Sequence, residues 1–206
     1  GWLPRTESEQ ILEMLCKIMN TMVVLLSDRG IEISENILEG YCQIHRLLIA
    51  VVERFPSLKK TIFRRLDDFA RYEKCRSKAS CPSLGQLLPL LTVSEGYEWR
   101  HIAFPYLFES FDRQILWACA KDERLATVNA GDVERLDLHL KATQVSQKLA
   151  MFHVMFLRTV ARPAVGESGG ASVRPLKAVA DTYDCCLGRP PLHLRRLFQA
   201  RLKEIF

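Results

Sequence analysis

Apolar residues recur along almost the whole chain at intervals of three and four positions. This period is typical of α-helices with one buried face, whereas a half-buried strand would alternate at every second residue. The pattern predicts helices at about 8–28, 34–55 and 58–74, a short helix at 84–93, and a long helix that ends near Arg162. The predicted fold class is therefore all-α, either a multi-helix bundle or an irregular helical stack.

The same spacing assigns a buried stripe to each helix, and a further helix is predicted to begin near Pro105, after a separate short one at 94–100. The stripes of the two N-terminal helices are Ile11, Leu15, Ile18, Met22 and Leu26, then Ile37, Tyr41, Ile44, Leu48, Val51 and Phe55. The stripe of the helix from Pro105 is Phe108, Phe111, Ile115 and Ala118. The longest run aligns Leu138, Ala142, Val145, Leu149, Phe152 and Phe156. We expect this last helix to be central to the bundle.

The periodic pattern stops at residues 163–173, whose sequence is PAVGESGGASV. Small and turn-forming residues of this kind are typical of a flexible connector. The predicted organisation is a main helical bundle at 1–162, the connector at 163–173, and a C-terminal helical hairpin at 174–206 that packs on the bundle. Because the chain starts at Gly1 without a methionine, we interpret it as a domain fragment of a larger protein or as a tag remnant followed by a domain.

Charge is distributed unevenly along this chain, whose formal net charge is +5. Residues 59–78 hold eight Lys or Arg against three Asp or Glu, and residues 6–40 hold seven acidic residues against two basic ones. Opposed patches of this kind either meet inside one molecule or face different partners. The sequence leaves both alternatives open.

The basic helix at 58–74 carries the predicted partner-binding residues. They are Lys59, Lys60, Arg64, Arg65, Arg71 and Lys74. A solvated helix face with internal ion pairs, such as Arg64 with Asp67 or Asp68, is the alternative interpretation. Aromatic residues do not alternate with these basic ones, as they would in a groove for single-stranded nucleic acid. The preferred partner is therefore another protein, and the charge favours an acidic one.

Three pairs of side chains have the spacing of partial metal sites. They are Glu98 with His101, Cys42 with His45, and Cys75 with Cys81. A closed zinc site needs four ligands, and a di-iron bundle needs two E-x-x-H elements and two further carboxylates. Each pair is incomplete, so we predict no metal and no other cofactor. Whether Cys75 and Cys81, or Glu98 and His101, join a site through contacts in the fold stays open.

The chain has no complete sequence signature of catalysis. It has no G-x-x-x-x-G-K-[ST] loop and no G-x-G-x-x-G turn, and the letters G-x-S-x-G at 166–170 lie in the predicted connector, without the strand, turn and helix that present a nucleophile elbow. We therefore assign no catalytic residues and interpret His153, beside the Phe152 and Phe156 stripe, as a packed histidine. The charges of Glu109, Asp112 and Arg113 are interpreted as a tie between helices.

The predicted function is that of a non-enzymatic protein-interaction module, a scaffold or adaptor. The first alternative is a helical domain that binds nucleic acid through the basic helices at 59–78 and 189–203. The second is an enzyme whose site is assembled from several helices. Seven scattered cysteines favour a reducing compartment, and uninterrupted apolar runs fall short of the roughly 18 residues of a membrane helix. We accordingly predict a cytoplasmic or nuclear protein without a membrane partner.

Overall fold

Helices make up the regular secondary structure of this protein, and among the residues that are described none lies in a β-strand. The computed structural model describes residues 6–29, 34–126, 133–162, 175–186 and 188–204. The all-α prediction is confirmed. The predicted connector at 163–173 lies outside the described residues, so the division into domains stays a prediction.

The α-helices follow one another with short connections. In chain order they are α1 (Glu7–Arg29), α2 (Glu35–Arg54), α3 (Ser57–Arg71), α4 (Leu87–Thr92), α5 (Trp99–Lys121), α6 (Glu123–Ala126), α7 (Val133–Phe156), α8 (Leu176–Asp184) and α9 (Leu192–Lys203). Single turns of 3₁₀-helix lie at Glu73–Cys75 and Leu84–Gln86, and a wide π-type turn at Leu157–Ala161 follows α7. These bounds match most of the periodic segments of the sequence.

Local chemistry accounts for several helix ends. The Ser34 hydroxyl accepts the backbone N–H of Ile37 at 3.4 Å and caps α2, because the first turn of a helix leaves such donors unpaired. Pro56 follows the end of α2. After α8, the N–H of Gly188 donates to the carbonyl of Tyr183 at 2.8 Å, and Gly188 has a φ of 77°. That left-handed conformation suits glycine and turns the chain toward α9.

The core forms where α1 packs between α2 and α7, with α4 against the same helix. The buried line of α1 runs through Leu12, Cys16, Met19 and Val23. The predicted stripe was wrong at Ile11 and Ile18, which are exposed, and that of α2 was wrong at Phe55. Both helices carry apolar residues on more than one side, so the sequence pattern alone left the rotation of the buried face undetermined.

The segment Glu7–Ser27 is long and apolar enough to cross a membrane by length and composition alone. In this fold, its residues Leu12, Met19 and Val23 are buried in the core. A core helix of a water-exposed protein passes the same test of length and composition. The predicted localisation therefore stays a prediction.

An aromatic cluster joins α2 and α7 to α9. The Tyr41 ring packs edge-on against Phe152 and Phe156, with centroids 4.9 and 4.8 Å apart. Phe198 of α9 packs against the same two phenylalanines at 5.2 and 5.5 Å. Such edge-to-face pairs add about 1 kcal/mol each beyond the burial of their area. The cluster therefore holds α9 against the helices that form the core.

Helix α7 contacts α1, α4, α5, α6 and α9, in keeping with the central position that we expected. Its predicted stripe is buried at Leu149, Phe152 and Phe156. Toward the start of the helix, Leu138 and Val145 are half-buried. The C-terminal half of α7 thus belongs to the core, and the N-terminal half lies at the edge of the fold.

The prediction of two helices around Pro105 was wrong, because α5 is continuous from Trp99 to Lys121 and includes this proline. Residues 94–98 form a turn instead, in which the Ser94 hydroxyl accepts the N–H of Tyr97 at 3.0 Å. Pro105 is buried beside Tyr106. The packing of this turn of α5 in the core offsets the backbone hydrogen bond that a proline removes.

The predicted buried stripe of this helix was also wrong at Phe108, Phe111 and Ile115, which are exposed. In the first half of α5 the opposite side, with Ile102 and Tyr106, faces the core. Ala118, near the end of the helix, is buried as predicted.

Candidate protein-interaction surface

The basic residues of α3 lie around a helix whose other side, with Leu58, Ile62, Leu66 and Phe69, is buried. Half of the predicted partner-binding residues are in ion pairs within the chain. Lys59 pairs with Glu95 at 3.0 Å, Arg65 with Glu13 at 2.6 Å, and Arg71 with Asp67 at 2.6 Å. These pairs neutralise much of the positive charge that was predicted to bind a partner.

The acidic face of α1 supplies part of this neutralisation. Beside the pair of Arg65 and Glu13, the Thr61 hydroxyl donates to Glu9 at 3.0 Å. The backbone N–H of Thr6, the Thr61 hydroxyl and the charges of Arg65 and Arg64 together lower the pKa of Glu9 against a small opposing effect of burial. Of the two alternatives for the opposed patches, the structure thus shows contact within the molecule.

Lys60, Arg64 and Lys74 are the exposed remainder of the predicted basic site. Lys60 lines a cleft of about 290 Å³ together with Phe63 and Lys59. The Lys74 ammonium lies 5.9 Å from the Tyr72 ring centroid, within the range of a cation–π contact. The three side chains form a weaker positive surface than the local sequence indicated.

The basic residues at 189–203 are partly neutralised as well. Arg189 pairs with Glu39 of α2 at 2.7 Å, and Arg195 lies 3.7 Å from the same carboxylate. Next to them, Arg46 binds Asp184 through two hydrogen bonds of 3.0 and 2.8 Å. These ion pairs connect α2 with α8 and with the segment from residue 189 onward.

The partial metal motifs have other roles or lie apart. The His101 Nδ1 accepts the backbone N–H of Glu98 at 3.0 Å and so caps the start of α5. Cys75 and Cys81 line one cleft of about 340 Å³ with the pair of Glu13 and Arg65. Across the described ranges, no three His, Cys, Asp or Glu side chains are placed to hold one metal ion. The structure therefore offers no ligand set for the motifs that the sequence left open.

Two buried histidines bridge core helices. The Tyr41 hydroxyl and the His153 Nδ1 are 2.9 Å apart, and the His45 Nδ1 and the Tyr183 hydroxyl are 2.8 Å apart. The prediction of a packed His153 is confirmed, and His45 joins α2 to α8. Burial lowers the pKa of His153 to about 3, and burial, with the nearby charges of Arg162 and Arg46, lowers the pKa of His45 to about 3. Both rings are therefore neutral near pH 7.

The charged residues of α5 divide into a half-buried ion pair and an exposed carboxylate. Arg113 pairs with Glu109 at 2.7 Å and donates hydrogen bonds to the carbonyl oxygens of Arg76 and Pro82. It thereby holds the loop after α3 against α5. Asp112 is exposed, so its predicted role in the tie was wrong.

Replacing Arg113 by alanine is expected to lower the free energy of unfolding by about 2 kcal/mol, because the Glu109 carboxylate and the loop carbonyls lose their donor. Urea unfolding followed by circular dichroism measures this difference. The neighbouring change Asp112→Ala serves as the control and should alter the free energy by less than about 0.5 kcal/mol. Similar losses for the two variants would contradict the assignment of the tie to Arg113.

A stripe of large apolar side chains on α5 faces away from the protein. We define the α5 stripe as Phe104, Leu107, Phe108, Phe111 and Ile115. Its phenylalanines Phe104, Phe108 and Phe111 are 78%, 65% and 58% exposed. Helical spacing places all five residues on one side of α5, and the Phe104 and Phe108 rings are stacked with centroids 6.3 Å apart. Single exposed apolar residues are common, but a row of aromatic ones is typical of an interaction site.

Helix α7 extends this apolar surface. The Phe111 ring contacts the His139 imidazole of α7, with centroids 6.2 Å apart. Leu136 and Leu140, close to His139 in the sequence, are exposed, and so is Val133 at the start of the helix. We define Val133, Leu136 and Leu140 as the α7 extension.

Sequence reasoning missed this surface by assigning Phe108, Phe111 and Ile115 to the core. The sequence nevertheless contains one indication of this surface. Ile102 and Tyr106 mark a second apolar line on the same helix, displaced from the line of Phe104, Phe108 and Phe111 by about half a turn. A helix with two apolar lines needs a neighbour on each side.

Comparison with known proteins does not extend these observations, since no protein-family model, no curated protein and no solved structure matches this chain.

Proposed function

We propose that this chain is a helical protein-interaction module that binds its partner through the α5 stripe and the α7 extension. The main support for this proposal is the exposure of Phe104, Phe108 and Phe111 on one side of a helix whose other side is buried in the core. Interface centres are enriched in aromatic side chains and poor in charge. A scaffold or adaptor holds its partners through a surface of this kind.

The anchoring of α5 supports the proposal. Ile102 and Tyr106 are buried, and Arg113 binds the loop after α3 through backbone carbonyls. The stripe is therefore presented on a preorganised helix, and a partner does not have to order it on binding.

The nucleic-acid alternative has less support. Lys59, Arg65 and Arg71 are bound to carboxylates within the chain, and Arg189 and Arg195 lie near Glu39. Binding to phosphates would have to break or share these pairs, which reduces the electrostatic gain on which such binding depends.

Site-specific photo-crosslinking in cells tests the proposed function. A photoreactive phenylalanine analogue placed at residue 104 should form adducts with protein, because this side chain is the most exposed of the stripe and faces the partner in the proposed contact. The same analogue at residue 47, where Leu47 is exposed on α2, is the matched control. Mass spectrometry identifies the adducts. Adducts from residue 104 in clear excess over residue 47 support the function, and equal or absent protein adducts contradict it.

A further inference from the structure

We infer that the α5 stripe and the α7 extension bind the same surface of a second copy of this chain, forming a dimer with two-fold symmetry. This inference rests on the proposed function and names the partner of that site. Two observations support the dimer: the size of the apolar surface and the arrangement of charge along its edges.

The apolar surface has the size that a stable dimer needs. With about 200 Å² for each phenylalanine, Phe104, Phe108 and Phe111 together expose roughly 400 Å² of ring surface at their observed accessibilities. The exposed aliphatic residues Leu107, Ile115, Val133, Leu136 and Leu140 add about as much again. The total of roughly 800 Å² equals the area that each partner contributes to a standard interface and exceeds the largest patch of most monomers.

The edges of this surface carry both signs of charge. Arg100, which pairs with Glu98 at 3.1 Å, and Asp112 are exposed near the two ends of the α5 stripe. On α7 the Asp137 carboxylate pairs with Lys141 at 2.6 Å. A strongly acidic or basic partner would gain little from such a mixed border. A second copy of the chain meets it without net repulsion, so the charge pattern favours self-association.

In a two-fold dimer, helical geometry places one edge of the α5 stripe against the same edge of the second copy. His101 and Asp112 are separated by 11 residues, close to three full turns, so they lie on the same edge of α5. A two-fold axis perpendicular to α5 keeps this edge against the same edge of the second copy and reverses its direction. When this axis crosses α5 midway between the two residues, beside Tyr106 and Leu107, His101 of one copy lies opposite Asp112 of the other and the contact occurs twice.

The chemistry of this pair is complementary. The His101 Nδ1 accepts the N–H of Glu98, so the proton of the neutral ring is on Nε2. That N–H is free to donate to a carboxylate. Asp112 is exposed and supplies an acceptor, so each dimer would gain two hydrogen bonds at the border of its apolar contact.

Sedimentation velocity of the 206-residue chain, over concentrations that reach about 100 µM, tests this inference. The wild-type chain should shift from monomer to dimer as its concentration rises. Leu107→Asp should weaken the dimer about tenfold or more, because it places a carboxylate in the apolar contact. Leu47→Asp is the matched control, since Leu107 and Leu47 are 54% and 53% exposed, and it should leave dimerisation unchanged.

Asp112→Ala, which removes the acceptor, provides a second test that does not disturb the apolar contact. It should weaken the dimer a few-fold, and the melting temperature of the dilute monomer should stay the same because Asp112 is exposed. If Leu107→Asp did not fold, this variant would give the required comparison.

Two results would overturn the inference. They are a wild-type chain that stays monomeric at every concentration, and a dimer that Leu107→Asp and Asp112→Ala leave intact. If the chain is monomeric and residue 104 crosslinks to a different protein, the proposed function is supported and only the inference of a second copy is refuted. Monomeric behaviour without crosslinks would refute both.

Discussion

Replacing Phe156 by alanine is expected to lower the free energy of unfolding by about 4 kcal/mol, the usual cost of a large cavity in a packed core. The Phe156 side chain is fully buried and contacts Tyr41, His45 and Phe198, which belong to α2 and α9. Its removal therefore takes away part of the aromatic cluster that joins these helices to the end of α7. Urea denaturation monitored by far-ultraviolet circular dichroism measures the loss.

The control for this prediction is Phe108→Ala. The two residues are both phenylalanines on helices, but Phe108 belongs to the exposed α5 stripe. We expect this change to alter the free energy of unfolding of the dilute monomer by less than about 0.5 kcal/mol. A loss of several kcal/mol for Phe108→Ala would contradict the exposure of the stripe, because it would show that other residues of the same chain cover it.

Acidification from about pH 6.5 to 4.5 is expected to destabilise the fold by several kcal/mol through His45 and His153. Burial holds the pKa of each of these histidines at about 3 in the folded chain, whereas a histidine in the unfolded chain has a pKa of about 6.5. Below pH 6.5 the unfolded chain therefore binds protons that the folded chain does not. The stabilising effect is fully present above pH 6.5 and is lost progressively as the pH falls toward 3.

Unfolding free energies of the wild type and of His153→Gln, measured at intervals between pH 7 and 4.5, test this prediction. The variant should be less stable at pH 7, because Tyr41 loses its partner, but its stability should fall less steeply with acid, by about 2 kcal/mol over this interval. His193→Gln is the control, since His193 is exposed, and its slope should match the wild type. Parallel slopes for all three proteins would contradict a buried, neutral His153.

The sequence predicted the helical content, the start of α2 near residue 34 and the burial of the second half of α7, because each depends on residues close together in the chain. It did not determine which side of a helix meets a neighbour. In α1, Ile11 and Leu12 are adjacent and equally apolar, and packing against α2 and α7 decides that Leu12 is the buried one. Rotation of a helix about its axis is a tertiary property.

The candidate site illustrates the same limit. The six basic residues lie close together in the sequence, but the carboxylate partners of Lys59 and Arg65 lie 36 and 52 positions away. The contact of His45 with Tyr183 spans 138 positions. Contacts at such separations leave no periodic trace in one sequence. The α5 stripe was hidden for the opposite reason, since its apolar spacing is the same as that of a core helix.

Footprinting with a short-lived carbene or hydroxyl radical, read by mass spectrometry on the dilute chain, tests most directly whether the α5 stripe lies outside the fold. We expect strong labelling of Phe104, Phe108 and Phe111 and negligible labelling of Phe152 and Phe156, which are fully buried. If the stripe were labelled as weakly as Phe152 and Phe156, its exposure would be contradicted, because the α5 surface would then be covered by the chain itself.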